Sequence, residues 1–169
     1  MGKLKPVLIS TTLFLLLTLI TSCRSTNDWN PFIDLAQHDT IVVNSFASTD
    51  PKLGKELADQ TASALIKEGY YATVSRTPLA QPSIVVDGTV IRFNKGNLPL
   101  RIKTNGRSGH AQLQVEILVT ELPSGYEGTQ FRMSLDTRLT KPDASRTGRE
   151  TFSWLQQETA KQIARKLSP

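Results

Sequence analysis

At 169 residues, 38% hydrophobic and 21% charged, the chain suits one ordinary domain, and its composition excludes collagenous, low-complexity and disulfide-rich classes. Its single cysteine leaves no internal disulfide, so stability must come from the core. The net charge of +5 drops to +3 once Lys3 and Lys5 are set aside with an N-terminal leader, which makes a nucleic-acid partner a poor expectation.

The leader is read from three parts. Lys3 and Lys5 supply the positive end, an apolar run from Val7 to Ile20 follows, and Ile20-Thr21-Ser22-Cys23 closes it. The run is shorter than the roughly 20 residues a membrane-spanning helix needs. Small residues just ahead of the lone cysteine resemble a bacterial lipobox. Residues 1–22 are thus predicted to be a lipoprotein signal peptide and Cys23 the lipidated first residue of the mature chain. Two or three acyl chains anchor a protein stably, where one does so marginally. Residues 23–39 read as lipidated cysteine and polar tether, and 40–169 as a single periplasmic domain. Arg24 stands where Asp would favour inner-membrane retention in enteric bacteria. By that resemblance the expected location is the outer membrane, facing the periplasm, or another bacterial membrane if the source is not Gram-negative.

Thr40 to Phe46 is a β-branched run and a predicted strand. Asp50-Pro51 starts a helix whose Leu53, Leu57, Thr61, Ala64 and Leu65 share a face, and Gly69 ends it. Strands are predicted over Tyr71–Arg76 and Ser83–Phe93, the second carrying Gly88 as a bulge or a point of close approach. From His110 to Thr120 and from Thr129 to Thr140 apolar and polar residues alternate, the pattern of antiparallel strands solvated on one side. Pro123-Ser124-Gly125 marks the turn between them. Lys141 to Arg149 reads as a polar loop. A last helix, from about Glu150 to Leu167, gathers Phe152, Leu155, Thr159, Ile163, Ala164 and Leu167 on one side, with Lys161, Arg165 and Lys166 near its C-terminus. The order β-α-β-β-β-β-α predicts an α+β domain: a largely antiparallel sheet of about five strands with two helices packed on one face.

Little in the chain points to catalysis. His38 and His110 have no partner at metal-ligand spacing. No G-x-S-x-G elbow, dinucleotide fingerprint or P-loop is present. The expectation is a protein that is not an enzyme and has neither metal nor cofactor. One stretch is asymmetric: between residues 92 and 107, Arg92, Lys95, Arg101, Lys103 and Arg107 are basic and none is acidic. Gly96, Pro99 and Gly106 suggest a long, irregular hairpin there. Its two readings are a solvated loop kept soluble by charge and an anion-binding surface for lipopolysaccharide or peptidoglycan. Leu98, Leu100 and Ile102 alternate within it, as in a partner surface or a strand extension.

Asp87-Gly88-Thr89-Val90, then Lys95-Gly96-Asn97 with Arg101, then Gly106-Arg107-Ser108-Gly109-His110-Ala111 leading into the long alternating strand resemble a family of small bacterial outer-membrane lipoproteins catalogued as a domain of unknown function. The likeness spans roughly residues 40–167. It departs at Glu121-Leu122-Pro123-Ser124-Gly125, where that family tends to carry an Asp before its turn glycine. In architecture the chain is also similar to the periplasmic domain of peptidoglycan-synthase activators and of the curli-channel lipoprotein, and to the lipoprotein partner of the lipopolysaccharide-assembly barrel. These resemblances imply a lipid-anchored, non-enzymatic interaction or assembly module of the cell envelope, with a protein partner. The alternative is a binder of lipopolysaccharide or peptidoglycan through the basic loop.

Overall fold

The computed structural model describes residues 33–79, 83–105, 107–122, 124, 126–137 and 148–169. The leader, Cys23 and the tether up to residue 32 lie outside the described residues, as does most of the polar loop predicted between Lys141 and Arg149.

After a short 3-10 turn at Leu35–Gln37 the chain runs β1 (Thr40–Val43), α1 (Pro51–Glu68), β2 (Thr73–Ser75), β3 (Ser83–Asn94), α2 (Leu98–Lys103), β4 (Gln112–Leu122), β5 (Tyr126–Asp136) and α3 (Gly148–Leu167). The sheet order is β2-β1-β3-β4-β5. β3, β4 and β5 are antiparallel neighbours, whereas β1 lies parallel to both β2 and β3. A helical return is what allows parallel pairing, and α1 supplies it between β1 and β2. The α+β expectation holds, with α2 as an addition inside the basic connection.

α1 forms where its capping residues put it. The Asp50 carboxylate accepts from Leu53 N, Pro51 occupies the first turn, and Gly69 closes the helix at φ 74° with its N–H on Leu65 O. Two threonines sit on the apolar faces of the long helices without penalty. Thr61 Oγ1 donates to Leu57 O at 2.8 Å and Thr159 Oγ1 to Leu155 O at 2.7 Å, so each buried hydroxyl is satisfied four residues back.

The alternation in β4 sorts by face as the pattern requires. Leu113, Val115, Ile117 and Val119 are buried in one core with Leu57, Leu65, Leu155 and Ile163 of the helices. Gln114, Glu116 and Arg132 lie on the opposite face, where Arg132 Nη2 sits 2.9 Å from Glu116 Oε1. Gly88 is the close-approach point of β3 rather than its bulge. It pairs in register with Ile117, and a Cβ there would stand 2.5 Å from the Phe46 ring. The register shift comes later, between Val90 and Arg92, which leaves Ile91 outside the ladder.

Candidate functional site

The sheet has two ends. Asn94, Gln112 and Asp136 are register neighbours at one, and Ser83 and Leu122 at the other. The basic connection from Arg92 to Arg107 folds over the first end. α1 begins there, with Asp50 Oδ2 3.9 Å from Lys95 Nζ, and α3 meets it through Phe152, whose ring lies 6.4 Å from that of Phe93.

The connection is ordered by its own short polar residues, not left as an irregular hairpin. Asn94 Oδ1 accepts from Gly96 N, and Asn97 Oδ1 caps α2 by accepting from Leu100 N, both at 2.9 Å. Asn97 N donates to Gly109 O, which ties the two ends of the loop together. Gly109 (φ 81°) admits this closure, because a Cβ would stand 2.3 Å from Asn97 O. Gly106 lies outside the described residues.

This folding divides the five cations predicted as one anion-binding surface. Arg92 is exposed on the solvated face of the sheet, opposite Gln114. Lys95 faces the start of α1 beside Asp50. Lys103 and Arg107 are exposed at the end of α2 and just beyond it. Arg101 is only 2% exposed: α2 turns it inward together with Leu98, which corrects its place among the cations of the predicted anion-binding surface. Leu100 and Ile102 point outward instead, so the alternation of Leu98, Leu100 and Ile102 belongs to a helix and not to a strand extension.

Two recesses flank the Lys95–Asn97 turn. One, of about 730 Å³, opens toward the helices between Asp50, Glu56, Lys95, Phe152 and Gln156. The other, of about 530 Å³, lies at the sheet end among Arg92, Asn94, Ser108, His110, Gln112 and Asp136. His38 is remote from both: its Nε2 is 3.0 Å from Glu121 Oε1 at the opposite end. The two histidines therefore share no site. Among the described residues no group of three His, Cys, Asp or Glu side chains could hold a metal ion. Sequence reasoning offered Leu98, Leu100 and Ile102 together as a partner surface or strand extension, but did not separate buried Leu98 from exposed Leu100 and Ile102. Six residues are less than two helical turns, too few for a readable period.

No family model matches the chain, and no curated protein matches it. Solved structures do share its fold. PelC from Paraburkholderia phytofirmans, a dodecamer, aligns with a TM-score of 0.53 at 15% identity over 79% of this chain and 91% of that one. A single-residue variant of the same dodecamer gives 0.55 at 14%, over 78% and 88%. A Xanthomonas campestris protein of family DUF330 gives 0.52 at 11%, over 73% and 80%. At this identity the likeness concerns the fold.

Proposed function

We propose that the protein is a lipid-anchored lipoprotein of the bacterial outer membrane, facing the periplasm, whose domain is a non-enzymatic interaction or assembly module of the envelope. The observation that carries the reading is Cys23. The only cysteine of the chain directly follows a leader of the right length, and a short polar segment separates it from one folded domain. The fold shared with a protein that forms a dodecamer supports the assembly part of the reading, by analogy of fold.

Fatty-acid labelling together with crosslinking from membranes tests this. The chain should take up label, lose it as Cys23→Ser, and be recovered from the outer-membrane fraction crosslinked to a defined set of envelope proteins or to further copies of itself. Label retained by Cys23→Ser, or monomers alone after crosslinking, would overturn the reading.

The binder of lipopolysaccharide or peptidoglycan is supported by the exposed cations Arg92, Lys95, Lys103 and Arg107 at one end of the sheet, with Arg101 withdrawn from the set. Binding of that kind should weaken markedly as salt rises.

A further inference from the structure

α2 buries Leu98, but the rest of its packing departs from the ordinary amphipathic pattern. It buries an arginine, Arg101 at 2% exposure, and turns Leu100 and Ile102 to solvent at 42% and 41%. Leu100 and Ile102 flank exposed Pro99 and Lys103 on the outward arc of the helix, Arg107 is exposed just beyond its end, and residues 92–107 contain no carboxylate. Aliphatic side chains set among cations match a surface that is itself apolar beneath an anionic layer. A glycan strand offers carboxylates but nothing for the leucine and isoleucine to enter. The headgroup region of a phospholipid bilayer offers both.

The reach of the chain agrees. The described residues begin at Ile33, ten residues after Cys23, and ten residues span at most about 35 Å. His38 meets Glu121 at the sheet end opposite α2, and β3, twelve residues long, separates the two ends by about 40 Å. A domain standing upright on its anchor would hold α2 far from the bilayer. One lying along the membrane rests α2 on it.

We propose that α2 is a second, reversible membrane contact, with Leu100 and Ile102 seated among the headgroups of an anionic phospholipid bilayer and Lys103 and Arg107 at the phosphates. Acyl chains at one end and α2 at the other then hold the domain on its side. The inference rests on the lipoprotein reading for the anchor, and the two fail separately in the following experiment.

The acylated full chain carrying Ile102→Cys is labelled with an environment-sensitive fluorophore, the Cys23 thiol being consumed by lipid. It is reconstituted in vesicles of phosphatidylethanolamine with phosphatidylglycerol, or of phosphatidylcholine alone. Flotation reports the anchor, and emission with quenching by spin-labelled lipid reports α2. The expected result is a blue shift and strong quenching in the anionic vesicles, absent in the neutral ones and lost on adding Lys103→Glu with Arg107→Glu. Ser63→Cys on the exposed side of α1 is the reference and should remain unquenched. A label at 102 no better quenched than at 63 overturns the proposal, as does shielding that appears only when envelope proteins are added. Should the chain fail to float, the anchor reading falls. Residues 23–169 carrying Cys23→Ser and Ile102→Cys, without the apolar leader, titrated with the same vesicles at low salt still decide α2: they should show the blue shift, and Leu100→Ser should weaken their partitioning about tenfold.

Discussion

The phenol hydroxyl of Tyr71 donates its hydrogen bond to the backbone carbonyl of Leu167, joining the chain just before β2 to the last turn of α3 across 96 residues of sequence. The C-terminal carbonyls of a helix lack intrahelical partners, and this one, being buried, finds a side chain. Burial pushes the Tyr71 pKa up from 10.0 to about 12. The protonated phenol is therefore favoured by folding, and its contribution is fully present below pH 10. It is lost as pH rises from 10 through 12, because the unfolded chain gives up the proton first. Chemical denaturation across pH 8–12 should show stability falling over that window. Tyr71→Phe should lower stability by about 0.5–1.5 kcal/mol at neutral pH and make the alkaline fall shallower. An equally steep fall in the mutant would assign the titration to another group.

The β4 register yields a paired test. Val115 is fully buried beneath the helices, and Gln114 next to it lies on the other face. Val115→Asp places an unpartnered carboxylate in the core and should cost several kcal/mol. Gln114→Asp should change stability by under about 0.5 kcal/mol. Comparable melting temperatures for the two variants would contradict the register.

Gly88 and Phe46 form a third test. A Cβ at position 88 would meet three ring atoms of Phe46 at 2.5 to 2.8 Å, so Gly88→Ala should cost about 1–3 kcal/mol by overpacking. Phe46→Leu, itself destabilising, should remove part of that cost. The two changes should combine to less than their sum in denaturant titrations. Strict additivity would mean that the ring can swing away without loss.

The buried position of Arg101 changes how the basic connection is probed. Arg101→Glu reverses a charge inside the fold and should destabilise by several kcal/mol. Lys103→Glu with Arg107→Glu, both exposed, should leave the melting temperature within about 2 °C. An Arg101→Glu protein as stable as the parent would place that side chain in solvent.

What the sequence by itself determined is whatever depends on near neighbours along the chain. Asp50-Pro51 and Gly69 bound α1 as read, because a cap acts within one helical turn. The alternation of β4 assigns its faces, because a strand's side chains must alternate. The expectation of a lipobox at Cys23 rests on an equally local motif of a few consecutive residues. Tertiary structure decided what depends on distant partners. β1 sits between β2 and β3, parallel to both, where its backbone groups find partners on either edge, and no local pattern specifies which strands those are. The candidate site was legible as a basic stretch, but its orientation was not. Closure of Asn97 on Gly109 turns α2 so that Arg101 enters the fold and Leu100 and Ile102 leave it. In a helix of six residues, the docking of its ends outweighs the hydrophobicity of its side chains.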